Sequence, residues 1–147
     1  GYAGYSRNAH DATIQSVSPL KGTYTPGYGT TVGTFESGST EWYDHIANYL
    51  DLENQTGRNN FIVYTDEVAD ADFLYNPQSK VFMSLDTPRT VKAKAEYVKS
   101  RGLGGLFTWT ADLDRGPLVN AAREGLGCEM TRQTVDMRPF YFKGITK

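Results

Sequence analysis

The chain has 147 residues, 39% of them hydrophobic and 22% charged, with 15 basic against 17 acidic side chains and a formal net charge of −2. That balance excludes a nucleic-acid or anionic-membrane binder driven by a basic excess, and the apolar content excludes a fully disordered chain. No apolar run reaches the ~18 residues of a membrane span, and a single cysteine, Cys128, excludes an intrachain disulfide or a cysteine-rich metal site. Gly1-Tyr2-Ala3-Gly4-Tyr5 alternates small and aromatic residues and, with no initiator Met or leader pattern, reads as a strand cut from something longer. Residues 8–34 are rich in Gly, Thr, Ser and Pro, which predicts a long loop or a set of short twisted strands. Thr40 is a good N-cap for a helix over 41–52, with Trp42, Ile46, Tyr49 and Leu50 on one stripe. Three strands follow at 61–65, 71–75 and 80–85, the last two joined by the turn Asn76-Pro77-Gln78-Ser79. One helix and three short strands make an α+β unit.

From residue 86 the pattern changes. Thr87 caps a helix with Pro88 at its first position, and Val91, Ala95 and Val98 form the buried stripe until Gly102. Leu106-Phe107-Thr108-Trp109 is apolar and β-prone throughout, as in a strand covered on both faces. A loop with Asp112, Asp114 and Gly116 leads to a helix over 117–125 that stops at Gly127, and 128–147 shows no clear period. The whole reads as α/β material at both ends with a small α+β unit between them.

Asp86-Thr87-Pro88-Arg89-Thr90-Val91, Lys94, Tyr97-Val98, Gly102-Leu103-Gly104-Gly105-Leu106-Phe107-Thr108-Trp109 and Asp112 resemble the C-terminal part of the family 18 glycoside hydrolases, the chitinases. Gly4-Tyr5-Ser6-Arg7 is similar to the end of that family's barrel strand seven. Thr34-Phe35-Glu36-Ser37-Gly38, with Tyr43 and Ile46, is similar to a Trp-Glu stretch of its insertion domain. The resemblance implies an α/β fold: the C-terminal part of a (β/α)8 TIM barrel with an inserted α+β chitinase insertion domain. Residues 1–7 would be barrel strand seven, 8–85 the insertion domain, 86–127 helix seven, strand eight and helix eight, and 128–147 a tail. A complete barrel takes about 250 residues, and this chain would supply two of its eight strands. The family's acid motif, D-x-x-D-x-D-x-E, does not occur in the chain. Asp66-Glu67-Val68-Ala69-Asp70-Ala71-Asp72 lacks the closing Glu and reads as a solvated loop.

The implied activity is hydrolysis of β-1,4-linked N-acetylglucosamine polymers, with the substrate's own N-acetyl group as nucleophile, an exception to the two-carboxylate scheme. By the same resemblance Trp109 floors the subsite of the reacting sugar, where an indole offers a flat face to a pyranose ring. Tyr5 and Arg7 sit at the end of strand seven and are expected to bind substrate: Tyr5 offers one hydroxyl and Arg7 a fork of donors to sugar oxygens, unless Arg7 pairs with a nearby carboxylate. Phe35 and Glu36 match the pair lining the cleft wall, with Phe in place of Trp. Trp42, at helical spacing with Ile46, reads as core. His10 and His45 are too isolated for a metal or a catalytic triad, and no cofactor or metal is expected. Asp112 and Asp114 read as turn and capping residues. The implied partners are chitin or N-acetylglucosamine oligomers and a companion chain carrying the rest of the barrel. A chitin-binding module without hydrolysis and a chitinase-like subunit of a larger toxin-type assembly stand as alternatives. Location outside the cell is expected, and neither nucleic acid nor membrane as a partner. The aromatic tail, with Met137, Pro139, Phe140, Tyr141 and Phe142, offers an interaction segment or packs on the barrel wall.

Overall fold

In the computed structural model residues 1–6, 8–15, 22–26, 34–36, 38–110, 114–128 and 135–146 are described. In chain order the elements are β1 (Tyr2–Ser6), β2 (Asn8–Ile14), β3 (Tyr24–Pro26), β4 (Thr34–Glu36), β5 (Ser39–Glu41), α1 (Trp42–Asn48), β6 (Leu50–Asp51), β7 (Thr56–Gly57), β8 (Ile62–Asp66), β9 (Ala71–Asn76) and β10 (Val81–Leu85). There follow α2 (Pro88–Ser100), β11 (Gly105–Trp109), α3 (Pro117–Leu126), a 3₁₀ turn at Arg138–Tyr141 and β12 (Ile145–Thr146).

Three sheets result among the described residues: a short antiparallel pair, β6–β7, and two sheets of opposite character. β1 and β11 form a parallel pair, with Tyr5 opposite Thr108 and Ser6 opposite Trp109. The connection between parallel strands needs a crossover, and here it contains the whole inserted unit and α2. α2 and α3 pack on one another and α2 lies along both strands. The larger sheet runs β12-β8-β9-β10-β2-β5-β4 with β3 added on β2, and every pairing is antiparallel except that of β12 on β8.

One core serves both sheets. Tyr5, Val91, Leu118 and Ala121 from the parallel pair and its helices join Trp42, Leu50, Leu74 and Met83 from the inserted unit, and the tail adds Met137. A smaller cluster of Ile14, Phe73 and Tyr75 includes a stack of Tyr64 on Phe73, with centroids 5.3 Å apart. No helix among the described residues is long and apolar enough to cross a membrane.

The strands at 61–85, α2, β11 and α3 fall where their patterns placed them, and Val91, Ala95 and Val98 are buried. Two expectations are corrected, and one open alternative is decided. The helix expected over 41–52 covers only Trp42–Asn48, because Thr40 is a buried residue of β5 paired to β2 and β4, and Glu41 takes the N-cap. At the far end the Asp51 carboxylate accepts Asn54 N–H and Asn54 Nδ2–H, closing a turn that opposes helix continuation. Residues 8–34 contribute the strands β2 and β3 and the start of β4, the short-strand alternative of the two the composition allows. β11 is covered on one face only: Leu106 packs on the core while Phe107 and Trp109 are exposed.

Candidate functional site

The C-terminal ends of β1 and β11 lie side by side, since the two strands are parallel and Ser6 is the register partner of Trp109. In barrel enzymes this end of the strands carries the active site. Side chains alternate across a strand, so Phe107 and Trp109 share the face of β11 opposite to Leu106 and Thr108. On that face Gly4 leaves room for the Phe107 ring, which lies where a Cβ at position 4 would stand. Tyr2, Phe107 and Trp109 are all more than half exposed, and Trp109 reaches 66%. The result is an open aromatic face that ends in an indole at the strand terminus. The Trp109–Thr110 peptide is cis.

Tyr5 belongs to the other face. Its partner is Thr108, and its ring is 5% exposed within the core that includes Val91. The structure therefore does not bring Tyr5 and Trp109 onto one surface: a sugar stacked on Trp109 lies across β1 from the Tyr5 ring. Arg7 and Asp112 lie outside the described residues. Phe35 and Glu36 belong to β4, at the far edge of the large sheet, and only their backbone is described. Trp42 is core, 1% exposed, as its spacing with Ile46 indicates.

Carboxylates near the strand ends are engaged in holding the frame. Asp86 Oδ2 accepts the Ser6 N–H at 3.0 Å, and its Oδ1 accepts Thr90 Oγ1 at 3.1 Å and Lys94 Nζ at 2.7 Å. Asp114 accepts N–H groups of Gly116, Leu118 and Val119, which caps α3 as expected. A polar cleft of about 270 Å³ opens beside Ser6, His10, Asp72, Ser84, Asp86 and Lys94. Its charges are already paired, Asp86 with Lys94 and Asp72 with Arg89. It is a joint between the parallel pair and the inserted unit.

Asp72 corrects the reading of 66–72 as solvated. Asp66 and Asp70 lie in or beside the exposed turn, whereas Asp72 is in β9 and only 3% exposed. Its carboxylate accepts Thr65 Oγ1–H at 2.7 Å, Thr87 Oγ1–H at 2.5 Å and both Nε and Nη2 of Arg89 at 3.2 and 2.8 Å. Burial works against the Arg89 charge, but the hydrogen bonds to Asp72 and Asp70 outweigh it and raise its pKa. Sequence reading also missed Arg115, whose guanidinium lies 5.7 Å from the Tyr43 ring centroid and so ties the segment after β11 to α1. No local pattern announces that contact. Among the described residues no group of three His, Cys, Asp or Glu side chains is placed to hold a metal.

The model of the family described as Glycosyl hydrolases family 18 matches residues 1–114. Chitinase 1 of Yersinia entomophaga is 52% identical over 145 residues, covering 96% of this chain and 27% of its own length. Chitinase 2 of the same organism is 44% identical and covers 98% of this chain and 22% of its own length. This chain thus spans about a quarter of the relatives it matches. Among solved structures, a chitinase fitted into the Yersinia entomophaga toxin complex superposes with a TM-score of 0.82 at 44% identity, over 95% of this chain and 28% of that one. The group IV chitinase of Ostrinia furnacalis, at 21% identity, shares the fold with a TM-score of 0.69, over 84% of this chain and 34% of that one.

Proposed function

This chain belongs to glycosyl hydrolase family 18, and on that premise we propose that it is the C-terminal part of a chitinase that cleaves β-1,4-linked N-acetylglucosamine polymers. In this reading 1–7 is barrel strand seven, 8–85 the chitinase insertion domain, 86–127 helix seven, strand eight and helix eight, and 128–147 a tail. The chain supplies a wall and floor of the substrate cleft. The acid that protonates the leaving sugar comes from the strand-four motif, which these 147 residues do not contain. Substrate-assisted catalysis needs the reacting ring held distorted, so that its N-acetyl oxygen reaches the anomeric carbon. A broad, apolar, rigid platform serves that purpose.

The observation that carries the proposal is Trp109, an indole 66% exposed at the C-terminal end of a parallel strand. Stacking there is worth something like 0.5–1.5 kcal/mol beyond plain burial, by analogy with aromatic pairs. Arg7, Phe35 and Glu36 are assigned to the same cleft, as a source of hydrogen bonds and as its wall. Tyr5 is assigned to the support of strand seven next to them, its ring being in the core. The protein acts outside the producing cell. The toxin complex into which the Yersinia entomophaga chitinase was fitted favours a second setting, in which the complete chain is a subunit of such an assembly.

The test is kinetic, in the complete enzyme. A contact that improves as the ring distorts lowers kcat when removed, whereas uniform binding only raises KM. Trp109→Ala is expected to lower kcat/KM on chitin oligomers roughly tenfold or more, about 1.4 kcal/mol, with kcat falling as well. Trp109→Phe is expected to be milder. Trp42→Ala serves as the contrast: it lowers stability by about 3–5 kcal/mol and leaves the kcat of the folded fraction nearly unchanged. Wild-type kcat and KM in Trp109→Ala would overturn the assignment.

A further inference from the structure

We propose that residues 135–146 are a strap that fixes the orientation of the inserted sheet on the helix pair α2–α3, and so positions the wall of the cleft for long substrates. The second half of this inference rests on the function proposed above; the first half rests on the geometry alone.

The segment is anchored at both ends to different parts of the molecule. On the helix side Met137 is 2% exposed, and Tyr141 Oη donates to Glu124 Oε2 of α3 at 2.6 Å. Lys92 of α2 places its ammonium 4.3 Å from the Tyr141 ring centroid, a cation–π contact that strengthens as water is excluded. Burial and the Glu124 bond both raise the Tyr141 pKa, so this phenol stays a donor. On the sheet side Gln55 Nε2 donates to Pro139 O at 2.7 Å. Ile145 and Thr146 pair in parallel with Tyr64 and Thr65 on the outer edge of β8.

The crossing point is Gly144. A Cβ at that position would collide with backbone atoms of Val63 and Tyr64, so only glycine lets the strap lie this close to β8. Its N–H donates to Thr65 Oγ1 at 2.8 Å. The Thr65 hydroxyl donates onward to Asp72, which accepts from Thr87 and Arg89 at the start of α2. A continuous line of hydrogen bonds thus runs from the tail, through two strands of the sheet, to the helix that returns the chain to β11. Residues 135–146 thus tie α3 to the outer edge of the sheet, a connection additional to the shared core and to the joint of Asp86–Lys94 and Asp72–Arg89. Two separated connections restrict rotation about either one.

The experiment uses the complete enzyme, with accessible cysteines, Cys128 among them, replaced. Spin labels are placed at Val68, in the turn joining β8 to β9, and at Ser100, at the end of α2, both exposed. Gly144→Val is expected to at least double the width of the label–label distance distribution. It is also expected to raise KM for long chitin oligomers fivefold or more, with kcat/KM on a fluorogenic chitobioside within twofold of wild type. Should Gly144→Val fail to fold, the double variant Thr65→Val, Tyr141→Phe severs the same anchors nearly isosterically and is held to the same criterion. A distance distribution as narrow as wild type would overturn the strap. An enzyme inert on chitin would instead overturn the function, and the distance measurement would still decide the strap.

Discussion

His45 is a buried imidazole held far from its ordinary aqueous environment. It is 1% exposed, its ring is 5.7 Å from that of Tyr49 and 6.4 Å from that of Trp42, and neither ring nitrogen has a hydrogen-bond partner among the described residues. Burial pushes its pKa down to about 3. The folded state therefore holds a neutral imidazole at pH values where the unfolded chain, titrating near 6.5, takes up a proton. Protonation favours unfolding, so the contribution of His45 to stability is constant above about pH 6.5 and falls as the pH drops toward 3, by up to about 1.4 kcal/mol per pH unit. His45→Leu is expected to flatten this slope in denaturant unfolding measured from pH 7 to 4; an unchanged slope would mean that other groups carry it. This environment was not legible in the sequence, where His45 was only an isolated histidine on a helix. Trp42 and Trp109 were separable there, because one sits at helical spacing with Ile46 and the other ends a β-prone run. Tyr5 was not, since a strand end offers either face and only the register with Thr108 decides it.

At the scale of elements, the segment that carries the resemblance most strongly is a joint rather than a catalytic device. Thr87 and Thr90 cap α2 reciprocally: Thr87 Oγ1 accepts the Thr90 N–H and Thr90 Oγ1 accepts the Thr87 N–H. Arg89 reaches from the first turn to the buried Asp72. The cap and the helix were readable because Thr-Pro at a helix start is a local signal. The Arg89–Asp72 pair was not, because seventeen residues and a strand separate the partners. The same reasoning covers the tail: its order comes from contacts with Glu124, Thr65 and β8, none of which leaves a period in the sequence. Removing one member of a buried pair strands the other, which costs about 3–5 kcal/mol. Arg89→Ala is therefore expected to destabilise the enzyme by roughly that amount. Arg89→Ala together with Asp72→Ala should cost clearly less than the sum of the single changes. A double-mutant cycle by chemical denaturation measures it, and strict additivity would show that the pair is not coupled.

The whole molecule divides by how completely its surfaces are covered. The inserted sheet and the helix pair share one core, from Val91 and Leu118 through Leu74 and Met83 to Met137. The parallel pair is different: among the described residues β1 and β11 have only each other as strand neighbours, and their second face leaves Tyr2, Phe107 and Trp109 exposed. Parallel strands are ordinarily buried on both faces, and unpaired strand edges are readily solvated or recruited by other chains. The 147-residue chain in isolation is thus expected to keep β8–β10 and the buried side of α2 protected in amide exchange, while amides of Gly1–Ser6 and Gly105–Trp109 exchange at least a hundredfold faster. It is also expected to show no turnover of a fluorogenic chitobioside above a Trp109→Ala control, because the acid motif is not among its residues. Addition of the remaining barrel strands as a separate chain should restore protection in β1 and β11 first, since docking of strands precedes assembly of the cleft. Full protection of both strands in the isolated chain, within a single cooperative unfolding transition, would show that the parallel pair needs no neighbours and that its aromatic face is built for water rather than for a barrel interior.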